Sequence, residues 1–127
     1  MACGGFVCGS PSTLPVGCRC RLREQAQARL RIVNAGDTLW LAGEPSAPGW
    51  TRLGAHLHRG RELIDFDWFR MDLPHDVPPG SQMVVDTTLP SIDSPGDYTV
   101  TFDFVVEGIA WFADRGSLTT RLKLQVT

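Results

Sequence analysis

The amino-acid sequence predicts an all-β protein built as one antiparallel β-sandwich of about seven strands. Three observations carry that expectation. Apolar and polar residues alternate in short runs along most of the chain, which is the two-residue period of a strand with one wet face. Clusters rich in Gly, Pro and Asn separate the runs, and such clusters hold turns. No segment carries the 3.6-residue period of an amphipathic helix.

Residues 1 to 20 stand apart. Rich in Gly, Pro, Ser and Cys and without either period, they are expected to form an irregular leader, with the sandwich domain over residues 21 to 127. The alternation begins with Ala26, Ala28, Leu30 and Ile32, whose neighbours Gln25, Gln27, Arg29 and Arg31 point the other way. Asn34-Ala35-Gly36-Asp37 turns the chain into a short apolar piece, Thr38 to Ala42, centred on Trp40. After the loop from Gly43 to Gly49, the next strand carries Leu53, Ala55 and Leu57 inward and Arg52, His56 and His58 outward. Arg59-Gly60 reads as a hairpin turn into Glu62 to Arg70, a strand crowded with Ile64, Phe66, Trp68 and Phe69. Three prolines between Leu73 and Gly80 end that strand, because each removes a ladder donor.

Met83, Val85, Thr87 and Leu89 form the following run, and Ser94-Pro95-Gly96 turns the chain again. The clearest strand puts Tyr98, Val100, Phe102, Phe104 and Val106 on one face and Thr99, Thr101, Asp103, Val105 and Glu107 on the other. Beyond a loop around Trp111 to Ser117, Leu118, Leu122, Leu124 and Val126 face inward in the last strand. Trp40 and Trp68 lie within strands and are expected in the core, whereas Trp50 and Trp111 are loop-adjacent and more open. Strands of this number and spacing describe a sandwich or a small barrel, and a sandwich of immunoglobulin-like type is expected. It is not the antibody type, because no two cysteines lie inside the strands.

A chain of 127 residues is about one domain long and can bury a core without staples. With 43% hydrophobic and 20% charged residues it falls among ordinary globular chains, which excludes a disordered tail. A net charge of −2 provides no long-range positive field, so neither nucleic acid nor an anionic lipid surface is an expected partner. No stretch approaches the roughly 18 apolar residues of a spanning helix, so no membrane insertion is expected. The opening residues lack the basic start and apolar run of a secretory signal, and the location expected is cytoplasmic.

Catalytic patterns are sparse. His56-Leu57-His58 on a strand would aim two imidazoles at one face, with Glu62 returning across the turn, as in a cupin-like metal site. The flanking glycines and the second histidine motif of that site are missing, and His75 is the only other histidine. Cys3, Cys8, Cys18 and Cys20 are spaced C-x4-C-x9-C-x-C, unlike the close pairs of a compact zinc site. No G-x-S-x-G elbow or phosphate-cradling glycine loop occurs. Asp103 and Glu107, four apart on a strand, would lie about 13 Å from each other, too far for a retaining carboxylate pair. The residues therefore predict no enzyme, no metal and no cofactor.

One surface is richer. In an immunoglobulin-like arrangement the strands bearing His56, Asp103, Glu107, Arg121 and Lys123 are neighbours in one sheet, and Trp111 and Phe112 lie at its end. Sugars are held by such polar groups beside an aromatic platform, because their C–H faces pack on rings while their hydroxyls need donors and acceptors. The plainer reading pairs Asp103 and Glu107 with Arg121 and Lys123 across strands. Arg70 would then pair with Glu107 or Asp103 and fix the adjoining loop.

From about Ala28 onward the landmarks run Asn34-Ala35-Gly36, Trp40, Leu53-Gly54-Ala55-His56, Arg70, Leu73-Pro74-His75-Asp76-Val77-Pro78-Pro79-Gly80, Pro95-Gly96-Asp97-Tyr98 and Phe102-Asp103-Phe104-Val105-Val106-Glu107-Gly108-Ile109-Ala110-Trp111-Phe112. This order resembles the immunoglobulin-like accessory domains appended to bacterial glycosyltransferases and methyltransferases of surface polysaccharide synthesis. It is more distantly similar to the sugar-binding C-terminal domain of O-antigen exporter ATPases. The resemblance implies a non-catalytic carbohydrate-binding module that positions a polysaccharide or glycan for a partner glycosyltransferase or methyltransferase. It also implies glycan contact at Trp111, Phe112, Glu107, His56 and Arg70. Two alternatives stay open: a structural or protein-docking sandwich without a sugar site, and a cupin-like metal-dependent enzyme using His56, His58 and Glu62.

Overall fold

The computed structural model of the chain describes residues 2–8, 17–34, 36–37, 39–42, 50–107, 109–111 and 120–127. Nine strands lie among them: β1 (Ala2–Cys8), β2 (Gly17–Cys20), β3 (Gln27–Asn34), β4 (Thr51–Arg59), β5 (Glu62–Asp72), β6 (Gln82–Thr88), β7 (Gly96–Val106), β8 (Ala110–Trp111) and β9 (Thr120–Val126). The described residues hold no helix, and so none long and apolar enough to cross a membrane. The strands form two sheets. One has three strands in the order β1-β3-β6; the other runs β2-β9-β7-β4-β5, with β8 added against β7.

The two-residue alternation becomes the core between these sheets. Ala28, Leu30 and Ile32 of β3 and Met83, Val85 and Thr87 of β6 are buried on one side, and the residues that alternate with them are exposed or half-buried. Facing them are Leu53, Ala55 and Leu57 of β4, Tyr98, Val100, Phe102 and Phe104 of β7, and Leu122, Leu124 and Val126 of β9. Burying each large apolar side chain contributes roughly 1.5–3 kcal/mol, so this interleaved set is the main source of the fold's stability. Trp40, expected in the core, is there: its backbone bridges Val77, and its ring lies 4.9 Å from that of Phe104. The β4–β5 hairpin closes through Gly60 at φ 62°, a left-handed conformation that glycine adopts without strain.

Asn34 shows how a loop residue becomes structural. Fully buried, it donates from Nδ2 to the Val77 carbonyl at 2.8 Å and accepts at Oδ1 from the Gly36 amide at 3.1 Å. It thus ends β3 with an Asx turn and ties that turn to the loop after β5.

The stretch read as an irregular leader differs from expectation. Its residues supply β1, paired antiparallel with β3 from Ala2↔Asn34 to Cys8↔Ala28, and β2, paired parallel with β9 from Gly17↔Lys123 to Cys20↔Val126. The sandwich therefore has more strands than the seven expected, and one pair is not antiparallel. The physical reason lies in the edges of β3 and β9, whose backbone groups accept another strand whatever its side-chain pattern. Alternation reports a half-buried face, not ladder formation. Of the cysteines, Cys20 is buried and unbonded to another cysteine, and burial together with nearby Glu24 raises its thiol pKa.

Candidate functional site

The outer face of the six-stranded sheet was expected to be wet, and over its middle it is not. His56 on β4 is only 7% exposed and Asp103 on β7 only 3%. What covers them originates in a mismatch between β4 and β5. Ala55 pairs with Phe69 and Leu57 with Asp65, so His56 alone stands opposite Phe66, Asp67 and Trp68. Surplus residues of this kind bow a strand out of its ladder and re-aim its side chains. Phe66 consequently stacks on the His56 ring at a centroid distance of 4.1 Å with 16° between planes.

Trp111 completes the cover. The two residues of β8 fold back on β7, pairing Trp111 with Val105, and the indole ring lies 4.6 Å from His56 and 5.3 Å edge-on to Phe66. Gly54 makes room for it. A Cβ at that position would lie 2.7 and 2.8 Å from Cζ3 and Cη2 of Trp111, closer than van der Waals contact permits. Gly54 also stands between Arg70 of β5 and Asp103 of β7 in the strand register, so the one residue without a side chain sits at the centre of the cluster.

The charges around these rings are paired, though not as the cross-strand reading expected. Glu107 contacts Arg70 through Oε1 and lies 3.8 Å from Arg52, which is itself 2.8 Å from Asp72. Arg70 also bonds Asp67 at 2.8 Å, and its guanidinium carbon lies 5.1 Å from the Trp111 ring centroid. The partners of Asp103 and Glu107 are therefore His56, Arg70 and Arg52, in place of Arg121 and Lys123. The register sets Arg121 opposite Thr101 and Lys123 opposite Thr99, so neither cation stands directly across from either carboxylate. Arg70 does take the Glu107 partner expected of it.

His56 is held between acceptors. Its Nδ1 donates to the Phe66 carbonyl, and Nε2 lies 3.6 Å from Oδ2 of Asp103. Burial pulls the imidazole pKa down, but the Asp103 carboxylate and the Phe66 carbonyl, with Asp67 farther off, outweigh it and set the pKa above its ordinary value. The arrangement suits imidazolium, since only the doubly protonated ring offers a hydrogen to each side. In that form the ring has no lone pair for a metal. Among the described residues no group of three His, Cys, Asp or Glu side chains converges, and Glu62 stays exposed at the far end of the hairpin.

Four of the five residues singled out in the sequence, Trp111, Glu107, His56 and Arg70, thus meet on one face, and Phe112 lies outside the described residues, as do Leu118 and the loop from Gly43 to Gly49. The sequence reading missed the role of Phe66, counted only among the rings crowding its strand and 48% exposed, and the roles of Gly54 and Arg52. A signal for Phe66 was present. The doublet Trp68-Phe69 breaks the two-residue alternation of β5, and such a break is the mark of a bulge. Trp68 itself is only partly buried against the core.

Chemically, the cluster offers one open ring, one half-covered indole, and a rim of guanidinium and carboxylate groups. Such a face can stack on an apolar ring surface and exchange hydrogen bonds with hydroxyls around it. Compared with known proteins, the chain matches no family model, and no curated protein matches it at a significant level.

Proposed function

We propose that the chain is an immunoglobulin-like, non-catalytic carbohydrate-binding module that holds a bacterial surface glycan for a partner glycosyltransferase or methyltransferase in the cytoplasm. The observation that carries this reading is the convergence of Phe66, Trp111, Arg70 and Glu107 on the outer face of β4, β5 and β7. Phe66 is the ring open to a sugar, and Trp111 and His56 brace it from behind. Glu107 supplies an acceptor and Arg70 and Arg52 supply donors at the rim, the mixture that sugar hydroxyls require. The sheet order supports the immunoglobulin-like assignment: β9-β7-β4 with β5 beside it matches the G-F-C-C′ order, facing a sheet that contains β3 and β6. The resemblance of the landmark residues from Asn34 to Phe112 supplies the polysaccharide context.

The docking alternative has one observation in its favour. Leu63 and Ile64, both nearly half exposed, lie beside Phe66 on β5, the edge strand of its sheet, and exposed apolar edges serve protein contacts as well as sugars.

The test is a bacterial glycan array followed by calorimetric titration of the best binder against wild type, Phe66→Ala and Trp111→Ala. Both variants should remain folded and bind at least about tenfold more weakly, a loss of roughly 1.4 kcal/mol. Folded variants with wild-type affinity, or an array on which the wild-type chain retains nothing, would remove the sugar reading.

A further inference from the structure

Farther along the same outer face lies a second feature that the aromatic cluster does not use. Strands β2, β9, β7 and the β4–β5 turn enclose an open depression of about 530 Å³, lined among others by Arg19, Gly60, Asp97, Thr99, Lys123 and Gln125. The volume falls within the roughly 300–1,000 Å³ range of small-molecule sites. Its polar groups are set by register. Arg19 stands beside Gln125, which faces Asp97; Lys123 faces Thr99, which in turn faces His58. Gly60, needed for the left-handed hairpin turn, adds no side chain at the rim.

The charges in this depression differ from those of the cluster. Among the described residues neither Arg19 nor Lys123 has a carboxylate within ion-pair distance, whereas Arg52 and Arg70 are each held by two. Two cations so placed favour an anionic group. Asp97 narrows the choice: a bare oxyanion brings only acceptors and is repelled by that carboxylate, whereas a sugar acid brings hydroxyls that donate to it. Thr99 and Gln125 can both donate and accept. A polyanion is disfavoured by the net charge of −2.

We infer that this depression binds an anionic sugar unit, its carboxylate taken by Lys123 and Arg19 and its hydroxyls by Asp97, Thr99 and Gln125. The inference rests on the glycan-binding reading and deepens it, for Thr99 and Asp103 are four residues apart on β7, about 13 Å. That separation lets the depression and the aromatic cluster engage different units of one glycan chain, with the acidic unit in the depression. Because the cations are exposed, the attraction is screened by salt.

The test follows backbone amide shifts of the full ¹⁵N-labelled chain at low salt during titration with sodium glucuronate, glucose or inorganic phosphate. Glucuronate should shift the amides of Thr99, Lys123 and Gln125 saturably, and glucose and phosphate should do so far more weakly. The Arg19→Gln, Lys123→Gln double variant should lose roughly tenfold in glucuronate affinity, as one strong charge-assisted contact is worth. Added salt should weaken the wild type and leave the variant little changed. Phosphate shifts equal to those of glucuronate, glucuronate shifts confined to other residues, or an unchanged double variant would each overturn the inference. Should glucuronate act at Thr99 and Lys123 while array glycans leave Phe66 and Trp111 untouched, this site stands and the aromatic one falls.

Discussion

The two sheets differ in what lies on their outer faces. Outside the three-stranded sheet is water: on β3 and β6 every second residue is exposed or half-buried, Val84 is 57% exposed, and Arg29 and Asp86 pair at 2.8 Å in the open. Outside the six-stranded sheet is a partial third layer. Over β7 the residues from Val100 to Val105 are buried on both faces, because Phe66 and Trp111 close over His56 and Asp103. A sheet that needs only one covered face spends its outer residues on solubility. A sheet covered on both has buried polar groups whose positions are fixed, and fixed polar groups are what a binding site needs.

Two outer-face valines on the two sheets test that contrast most sharply. Val105→Asp places a carboxylate at a position 4% exposed on β7 and should cost several kcal/mol, enough to abolish cooperative unfolding in urea. Val84→Asp puts the same group beside Arg31 on the open face of β6 and should change stability by no more than about 0.5 kcal/mol. Equal destabilisation by the two would erase the distinction between the sheets.

The same contrast governs how much could be read in the sequence. Where one face meets water, alternation sufficed: β3, β6, β9 and the inward residues of β7 lie as their spacing predicted. Where a second layer forms, it failed in particular ways. His56 and Asp103 follow the alternation outward, as read, but their burial depends on the bulge at Phe66 to Trp68, which arises from pairing between β4 and β5 and not from any local period. β1 and β2 were invisible because a Gly- and Cys-rich segment can join a sheet edge by backbone bonds alone. Glu107, Arg70, His56 and Trp111 were singled out through the family resemblance, and it is strand register that brings these four together.

Gly54 offers a finer test, at the point where the second layer is thinnest. Gly54→Ala drives a methyl into Cζ3 and Cη2 of Trp111, and the half-buried indole can yield only by lifting off β4. The expected loss is about 1 kcal/mol, read by chemical denaturation, with a displaced Trp111 indole resonance in the ¹⁵N spectrum. Because the core residues Leu53 and Ala55 point to the opposite face, the core should be unaffected, and the amides of β3 and β6 should keep their positions. Shifts spread across β3 and β6 would mean that the outer layer and the core are not separable.

The smallest expected effect is the one with a definite sign. His56 is the histidine buried between the layers, facing Asp103 from β7 and, through Nδ1, the Phe66 carbonyl of β5; Asp67 of β5 is the next charge acting on it. Its pKa is higher in the fold than in the unfolded chain, where about 6.5 is expected. A group raised in this way binds its proton more tightly when folded, so its contribution is complete below about pH 6.5 and is lost as pH rises through the folded value. Melting temperature should therefore fall as pH rises above about 6.5 in the wild type, and fall less in His56→Gln, which retains His58 and His75. If the variant instead shows the steeper decline, or the wild type gains stability over that range, the imidazole is neutral in the fold and the link from β5 to β7 through His56 is not ionic.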